Sequence, residues 1–411
     1  MRRLYVVLLL IGMALLSGVA SGFAVFYFLV YTLIGVLLVG FLWSAINLVG
    51  VHLSAKRASG LAKVGEFLEA ELFIQNRSPL PKVVLEVRDL ADLPGQVTGT
   101  VLNLRPFQRV RWLARAPLKK RGVYKLGPAR SYSSDPFGLF RLSRSFPGVD
   151  EVTVYPATVD LHDFQLSLSD MFHHGVRYQQ SHESALPVSN IRDYNPGDGF
   201  QRIHWASTAR TGRLMVKQFE SEMRNHVWVV LDMHQDVQAG GEIDNTEECG
   251  ITIAASLAEK FLSMDWPVGI MAHGDHRYLL TPQLSPVFHE EMLRVLAMAR
   301  ATGSKSLAEL LRQEWGSFTP TSRVVVITPS TDSLWLQELS GLTAYRSRLA
   351  VVLIDAHSFG GRRSSQEAQS VLQQDGIITY VVRQGEPLSA ALDYRQTLAY
   401  RPLLAPILEG R

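Results

Sequence analysis

A single cysteine, Cys249, stands in 411 residues, which excludes an intrachain disulfide and a cysteine-built zinc site. Its setting, EECGITIAASLAEKF, predicts a small buried thiol rather than a nucleophile. Excess charge of one sign is missing too. The balance of 41 basic against 38 acidic side chains leaves +3, so bulk charge gives no reason to expect nucleic-acid binding. The sequence has no Gly-x-x-x-x-Gly-Lys to cradle a phosphate, no Gly-x-Ser-x-Gly elbow and no His-Glu-x-x-His pair. Nucleotide-driven work by this chain alone and the commonest hydrolases are thereby set aside.

The most informative absence is at the N-terminus. Between Arg3 and Lys56 there is no Asp, Glu, Lys or Arg, and one membrane crossing needs roughly 20 apolar residues. Ser17-Gly18 and Ser21-Gly22 interrupt the run near its middle. Two transmembrane helices are predicted, about 4–20 and 23–45, in a hairpin occupying 1–50. A cleaved signal peptide is the alternative for the first, because MRR precedes an apolar stretch and SGVASG could be cut. Arg2 and Arg3 precede the first helix, and Lys56, Arg57 and Lys63 follow the second. The positive-inside rule then places both flanks, and all that follows, on the cytoplasmic side. The expected location is a bacterial cytoplasmic (inner) membrane.

Residues 51–155 read as a β domain. EFLEAELFIQN and KVVLEVRDL carry period-2 stretches, and Arg77-Ser78-Pro79 and Leu93-Pro94-Gly95 supply turns. A small antiparallel sandwich is the simplest account. QRVRWLARAPL alternates basic and apolar side chains, as a half-solvated strand does, with anionic lipid headgroups as the alternative partner. A lead-in occupies 156–224. From 225 to 411 the apolar runs HVWVVLDM, PVGIMAHG, RVVVITP, LAVVLIDA and GIITYVV alternate with helix-like segments. One of these helices opens with Asn245 or Thr246 as cap and glutamates in its first turn. That alternation predicts an α/β domain with a mainly parallel sheet covered on both faces. GGRRSSQEAQS is predicted to be a loose surface loop.

In open α/β sheets ligands bind beyond the carboxyl ends of strands, and LDMHQD puts Asp232 there. Here the sequence resembles the DUF58 family: membrane hairpin, β domain, then a von Willebrand factor A-like domain. The carriers are YKLGP at 124–128, DPFGLF at 135–140 and RDYNPGDGFQRIHWASTARTGRLMVKQFESE at 192–222. In A-domains of this kind the first strand ends in Asp-x-Ser-x-Ser, whose oxygens hold Mg²⁺. Here His234 and Asp236 replace both serines, and the later strand end reads Thr328-Pro329-Ser330, with Asp332 beyond it. The resemblance therefore implies a degenerate metal site, with Asp232 and Asp236 as weak candidates for Mg²⁺ or Mn²⁺ and no cofactor expected. His173, His174, His182, His204, His226 and His234 show no metal-ligand spacing and are read as scattered surface or core histidines.

The stretch 192–210 mixes guanidinium, carboxylate and aromatic groups around a Pro-Gly turn. Pro196-Gly197 sets the turn and Asp198 satisfies free amides. Arg192, Arg202 and Arg210 can bind carboxylates in pairs of bonds, and Tyr194 and Trp205 offer faces for guanidinium stacking. The expectation is an internal clamp with buried aromatics, in which Arg202→Ala and Trp205→Ala are destabilising; an outward docking surface is the alternative. The resemblance implies a non-enzymatic, membrane-anchored interaction protein partnered with a MoxR-type AAA+ ATPase, with other membrane proteins and the lipid bilayer, acting in maturation of a membrane or envelope complex. A metal-dependent adhesion-type module and a cryptic hydrolase are the competing readings.

Overall fold

The computed structural model describes residues 2–57, 61–94, 98–166, 188–193, 203–219, 226–319, 322–340 and 349–394. The chain forms two compact units, Met1–Pro156 and Ala157–Arg411.

The first unit opens with α1 (Arg2–Ser21) and α2 (Ala24–Leu48), both long and apolar enough to cross a membrane. The helical form satisfies the backbone amides within each segment, as a stretch this apolar requires wherever water is excluded. The reversal falls at Gly22, whose φ of +69° a side chain would oppose. Among the described residues nine strands follow: β1 (Val51–Arg57), β2 (Leu61–Lys63), β3 (Phe67–Asn76), β4 (Lys82–Ala91), β5 (Thr98–Leu104), β6 (Arg109–Pro117), β7 (Gly122–Ser134), β8 (Arg141–Phe146) and β9 (Asp150–Tyr155). One sheet has the order β1-β3-β6 and the other β2-β9-β7-β4-β5, with β8 added to β7. All pairs are antiparallel except β2 with β9. Alternation along β3 sends Leu68, Leu72 and Ile74 inward. Leu72 and Ile74 meet Leu85 and Val87 of the facing sheet in one core. The arginines of β6 face out, and Arg115 pairs with Glu69 directly across the ladder at 2.9 Å while Arg111 pairs with Glu71. The solvated-strand reading of that stripe accounts for its alternation.

In the second unit β10 (Val188–Asp193) pairs antiparallel with β11 (Met215–Phe219), and α3 (Trp205–Thr211) lies between them in sequence. Then come β12 (His226–Leu231), α4 (Thr246–Ser263), β13 (Val268–His273), β14 (Arg277–Gln283), α5 (Pro286–Met298), α6 (Leu307–Glu314), β15 (Ser322–Thr328), α7 (Ser333–Ser340), β16 (Leu349–Ile354), α8 (Gln366–Gln374), β17 (Ile378–Val382) and α9 (Leu388–Ala391). The sheet order is β14-β13-β12-β15-β16-β17. Every pair is parallel except β13 with β14. Both faces are covered. Trp228 and Val230 of β12 pack with Leu311 of α6 and Trp335 of α7, whereas Leu231, Ile327 and Ile354 close on Gly250 of α4. A side chain at Gly250 would begin 3.1 Å from Leu231, so glycine there lets α4 lie tight on the sheet.

The stretch expected to be a loose loop is half helix. α8 begins at Gln366, with Ala368 and Leu372 buried one turn apart beneath a polar face. The antiparallel edge strand β14 is a second departure, because its residues are half-exposed and carry no apolar run.

Candidate functional site

The strand order places the candidate site. From β12 the chain moves outward to β13 on one side, and β15, β16 and β17 extend on the other. The reversal lies between β12 and β15, and crevices at such switch points receive ligands. Asp232 follows the last residue of β12, and Thr328 ends β15.

Asp232 is buried and both its oxygens are engaged. Thr328 Oγ1 donates to Oδ2 at 2.6 Å and the amide of His234 donates to Oδ1 at 3.1 Å. Burial is the largest influence on this carboxyl and raises its pKa above the usual aspartate value, against the opposing pull of those two bonds and of the His234 charge. Thr328 Oγ1 in turn accepts from the amide of Ser330 at 2.9 Å, and Ser330 Oγ accepts from the amide of Asp332 at 3.2 Å. On the other flank the Gln238 amide nitrogen donates to the carbonyls of Asp232 and His234 at 3.2 and 3.3 Å. Thr246, at the start of α4, donates to Gln238 Oε1 at 2.7 Å. Asn245 caps that helix by accepting from the Glu248 amide at 2.8 Å, as its sequence position predicts.

A cleft of about 740 Å³ opens over this edge, lined by Asp232, His234, Asp236, Ser306, Ser330, Asp332, Arg362 and Arg363 among others. The carboxylate of Asp236 is largely in solvent, 3.8 Å from His234 Nε2. Asp232 and Asp236 thus share the cleft but differ in state: one is buried and hydrogen-bonded, the other solvated. Among the described residues no cluster of three or more His, Cys, Asp and Glu side chains is placed to hold a metal. The donor set fits Mg²⁺ poorly, because Asp232 spends both oxygens on protein donors and His234 offers nitrogen where the ion prefers oxygen.

Asp355, the residue after β16, is a further carboxylate to which the same strand-end rule points. It is buried and accepts from the Ser365 amide at 3.0 Å, tying the loop before α8 to the strand edge. Cys249 lies one turn into α4, where burial, helped by Asp244, pushes its thiol up to about 12.

The lead-in segment is described in part. Arg192 lies on β10, opposite Val216 of β11. Tyr194, Pro196, Gly197, Asp198 and Arg202 lie outside the described residues, as do His173, His174 and His182. His204 caps α3, its Nδ1 accepting from the Ser207 amide at 3.2 Å. Gly212 ends the helix in the left-handed region, its amide bonded to Thr208 O. The expected burial of the aromatics fails at Trp205, which is 66% exposed. As first residue of a short helix it projects outward, while Ser207 takes the inward place. Arg210 is exposed too.

An "Uncharacterized protein YeaD" of Bacillus subtilis (strain 168) is 27% identical over 248 residues, which is 59% of this chain and 57% of that protein. The match thus spans little more than half of that relative. Among solved structures, the CARDB domain of PF1109 from Pyrococcus furiosus is 12% identical, with 26% of this chain and 94% of that one covered at a TM-score of 0.19. The sporulation control protein Spo0M of Bacillus subtilis is 8% identical, with coverages of 26% and 49% and a TM-score of 0.17. Likenesses that small carry no inference about this chain. Residues 190–358, which hold α3 and the Asp232–Thr328 edge together, match the family described as "Protein of unknown function DUF58".

Proposed function

We propose that the chain is a membrane-anchored, non-enzymatic interaction protein whose residues 225–411 form a von Willebrand factor A-like head, and that its partner is a MoxR-type AAA+ ATPase serving assembly of a membrane or envelope complex. The observation that carries this reading is the exposed pair Trp205 and Arg210 on α3. Tryptophan and arginine dominate binding energy at protein interfaces. A parallel sheet with one antiparallel edge strand and a carboxylate at its switch point supports the A-like assignment. The internal use of both Asp232 oxygens supports partner binding without a metal bridge.

In the decisive experiment the full chain is solubilised from membranes and its partners are captured with and without nucleotide. A co-purifying AAA+ ATPase is the expected result, unaffected by EDTA in the nucleotide-free arm. Trp205→Ala should weaken capture at least about tenfold, as loss of about 1.4 kcal/mol or more at an interface does, with thermal unfolding unchanged. Equal capture by that variant would remove α3 from the interface.

The metal-dependent adhesion-type alternative draws on the hydroxyls of Thr328 and Ser330 at the same edge. Saturable heat on titrating Mg²⁺ or Mn²⁺, abolished by Asp232→Ala, would favour it. The cytoplasmic placement of both flanks has its own test. A reporter active only in the cytosol should work after Arg411, and one active only after export should work at Ser21-Gly22. The reverse pattern rejects that orientation.

A further inference from the structure

We propose that the loop 135–140, DPFGLF, is a wedge seated in the leaflet adjoining the β domain, with the Phe137 ring in lipid; this rests on the reading that the α1–α2 hairpin spans the membrane.

The loop does not stop at the end of α2. The Phe140 ring meets Phe41 edge-on at 5.7 Å. A Cβ at Gly40 would lie 3.5 Å from Asp135, ordinary contact distance, so the loop lies directly against this face of the helix. Phe41 lies two turns before Leu48, about 10 Å back along the axis at 1.5 Å per residue. α2 has 25 residues, about 37 Å, against a hydrocarbon core of roughly 30 Å. Even with its last turn clear of the hydrocarbon, Phe41 stands at the boundary or inside it. On the other side of the loop, Arg3 Nη1 donates to Phe137 O at 3.4 Å. A guanidinium at the start of α1 belongs at headgroup depth. Arg3 and Phe41 bracket the loop at that depth.

The loop is also built for a place where water is scarce. The Asp135 carboxylate is buried, accepting from the amides of Phe137 at 2.9 Å and Phe140 at 2.5 Å. The Asp135 carbonyl accepts from Gly138 N at 3.1 Å, and its own amide donates to Phe140 O at 3.3 Å. The amides of Phe137, Gly138 and Phe140 are thus used within the loop, which lowers the cost of bringing irregular backbone close to hydrocarbon. Gly138 turns the chain at φ +68°.

Phe137 is the side chain left over. It is 54% exposed, at the tip of a loop whose other aromatic is already packed on α2. The exposed flank of α2 next to Phe140, with Phe41 and Leu42, continues the apolar surface. The neighbouring attachment keeps the wedge at this depth: Lys82 Nζ donates to the Ile46 carbonyl at 2.7 Å, and the Asn47 side chain bonds both the amide and carbonyl of Val83. A phenylalanine in water gains nothing from such placement. In the acyl boundary it buries its ring.

The test uses the full chain with Cys249→Ser, reconstituted into vesicles of phosphatidylethanolamine and phosphatidylglycerol. An environment-sensitive fluorophore is attached at Phe137→Cys, at Val39→Cys on α2, or at Phe67→Cys, and spin-labelled lipids serve as quenchers. All three positions are exposed. Phe67 lies at the end of β3 away from the hairpin, because the opposite end, Asn76, pairs with Val51 just after α2. Quenching at 137 comparable to that at 39 and several-fold above that at 67 is expected. Quenching at 39 with 137 no different from 67 overturns the wedge and leaves the anchor intact. No quenching at either 39 or 137 overturns both.

Discussion

Arg57→Ala should lower the unfolding temperature of the β unit by roughly 10–20 °C, the consequence of losing about 3–5 kcal/mol when one member of a buried ion pair is removed. The Arg57 side chain is 2% exposed and makes a two-pronged contact with Asp89, Nε to Oδ2 at 3.1 Å and Nη2 to Oδ1 at 2.7 Å. Its Nη1 donates to Asp150 at 2.9 Å and to the Gly148 carbonyl at 3.1 Å. Burial is the largest single influence on the guanidinium and works against its charge. The bonds to Asp89 and Asp150 together overcome it, so the pKa is held above its ordinary value. Alanine would leave Asp89 in place, buried, without the cation that offsets its desolvation. The arrangement is weak evidence for net stabilisation, because buried pairs roughly break even against apolar substitutes. That supplies the control. Arg57→Met combined with Asp89→Leu should recover much of the loss. The measurement is circular dichroism melting of the full chain in detergent, followed in the far ultraviolet. A single variant that melts like the wild type would show that the network carries no stability.

The same cluster explains a motif whose reason the sequence does not disclose. Gly127 of YKLGP has φ +97°, and a Cβ there would sit 2.4 Å from the Gly148 carbonyl and 2.7 Å from Arg57 Nη2. Any side chain at 127 would push into the space between two groups that are bonded to each other. The motif can be read in one stretch, whereas Arg57, Asp89 and Asp150 are spread across the unit and join only when three strands assemble. Non-local ion pairs leave no periodic trace.

The elements that could be read from sequence are those whose burial is complete. β12, β13, β15, β16 and β17 each carry a nearly continuous apolar run because both faces are covered, and Asp232 follows from the end of one of them. β14 and α8 escaped for the opposite reason. An edge strand half in water and a helix with two buried side chains on a polar ground carry too few apolar positions to set a period. The error at Trp205 is of another kind. Aromatic burial is a tendency of the residue type, and position on the helix decides the individual case. Once His204 fixes the start of α3, Trp205 falls on its outer side.

Asp232→Ala and Asp232→Asn should move stability in opposite directions near neutral pH. Alanine removes the acceptor of the Thr328 hydroxyl and of the His234 amide, and each buried donor left without a partner costs about 1–3 kcal/mol. Asparagine imitates the protonated acid: its carbonyl can accept from the His234 amide while its NH₂, like the acid's O–H, donates to Thr328 Oγ1, which has a second lone pair free alongside its bond from Ser330, and in both forms the Thr328 hydroxyl hydrogen turns away from residue 232. Because burial raises the Asp232 pKa, the folded state holds this proton to higher pH than the unfolded chain does. Stability from this residue is therefore full below the ordinary aspartate value and falls as pH rises through the interval up to the raised folded value, then stays level. Asparagine has no proton to lose and no such decline. The melting curves of wild type and Asp232→Asn should lie together in acid and separate in favour of asparagine as pH climbs through that interval, whereas Asp232→Ala stays below both. A gap independent of pH would mean that the carboxylate is ionised in place at little cost. It would then be a better cation ligand than its surroundings imply, and the metal-dependent reading of the strand edge would gain what the protein-only reading loses.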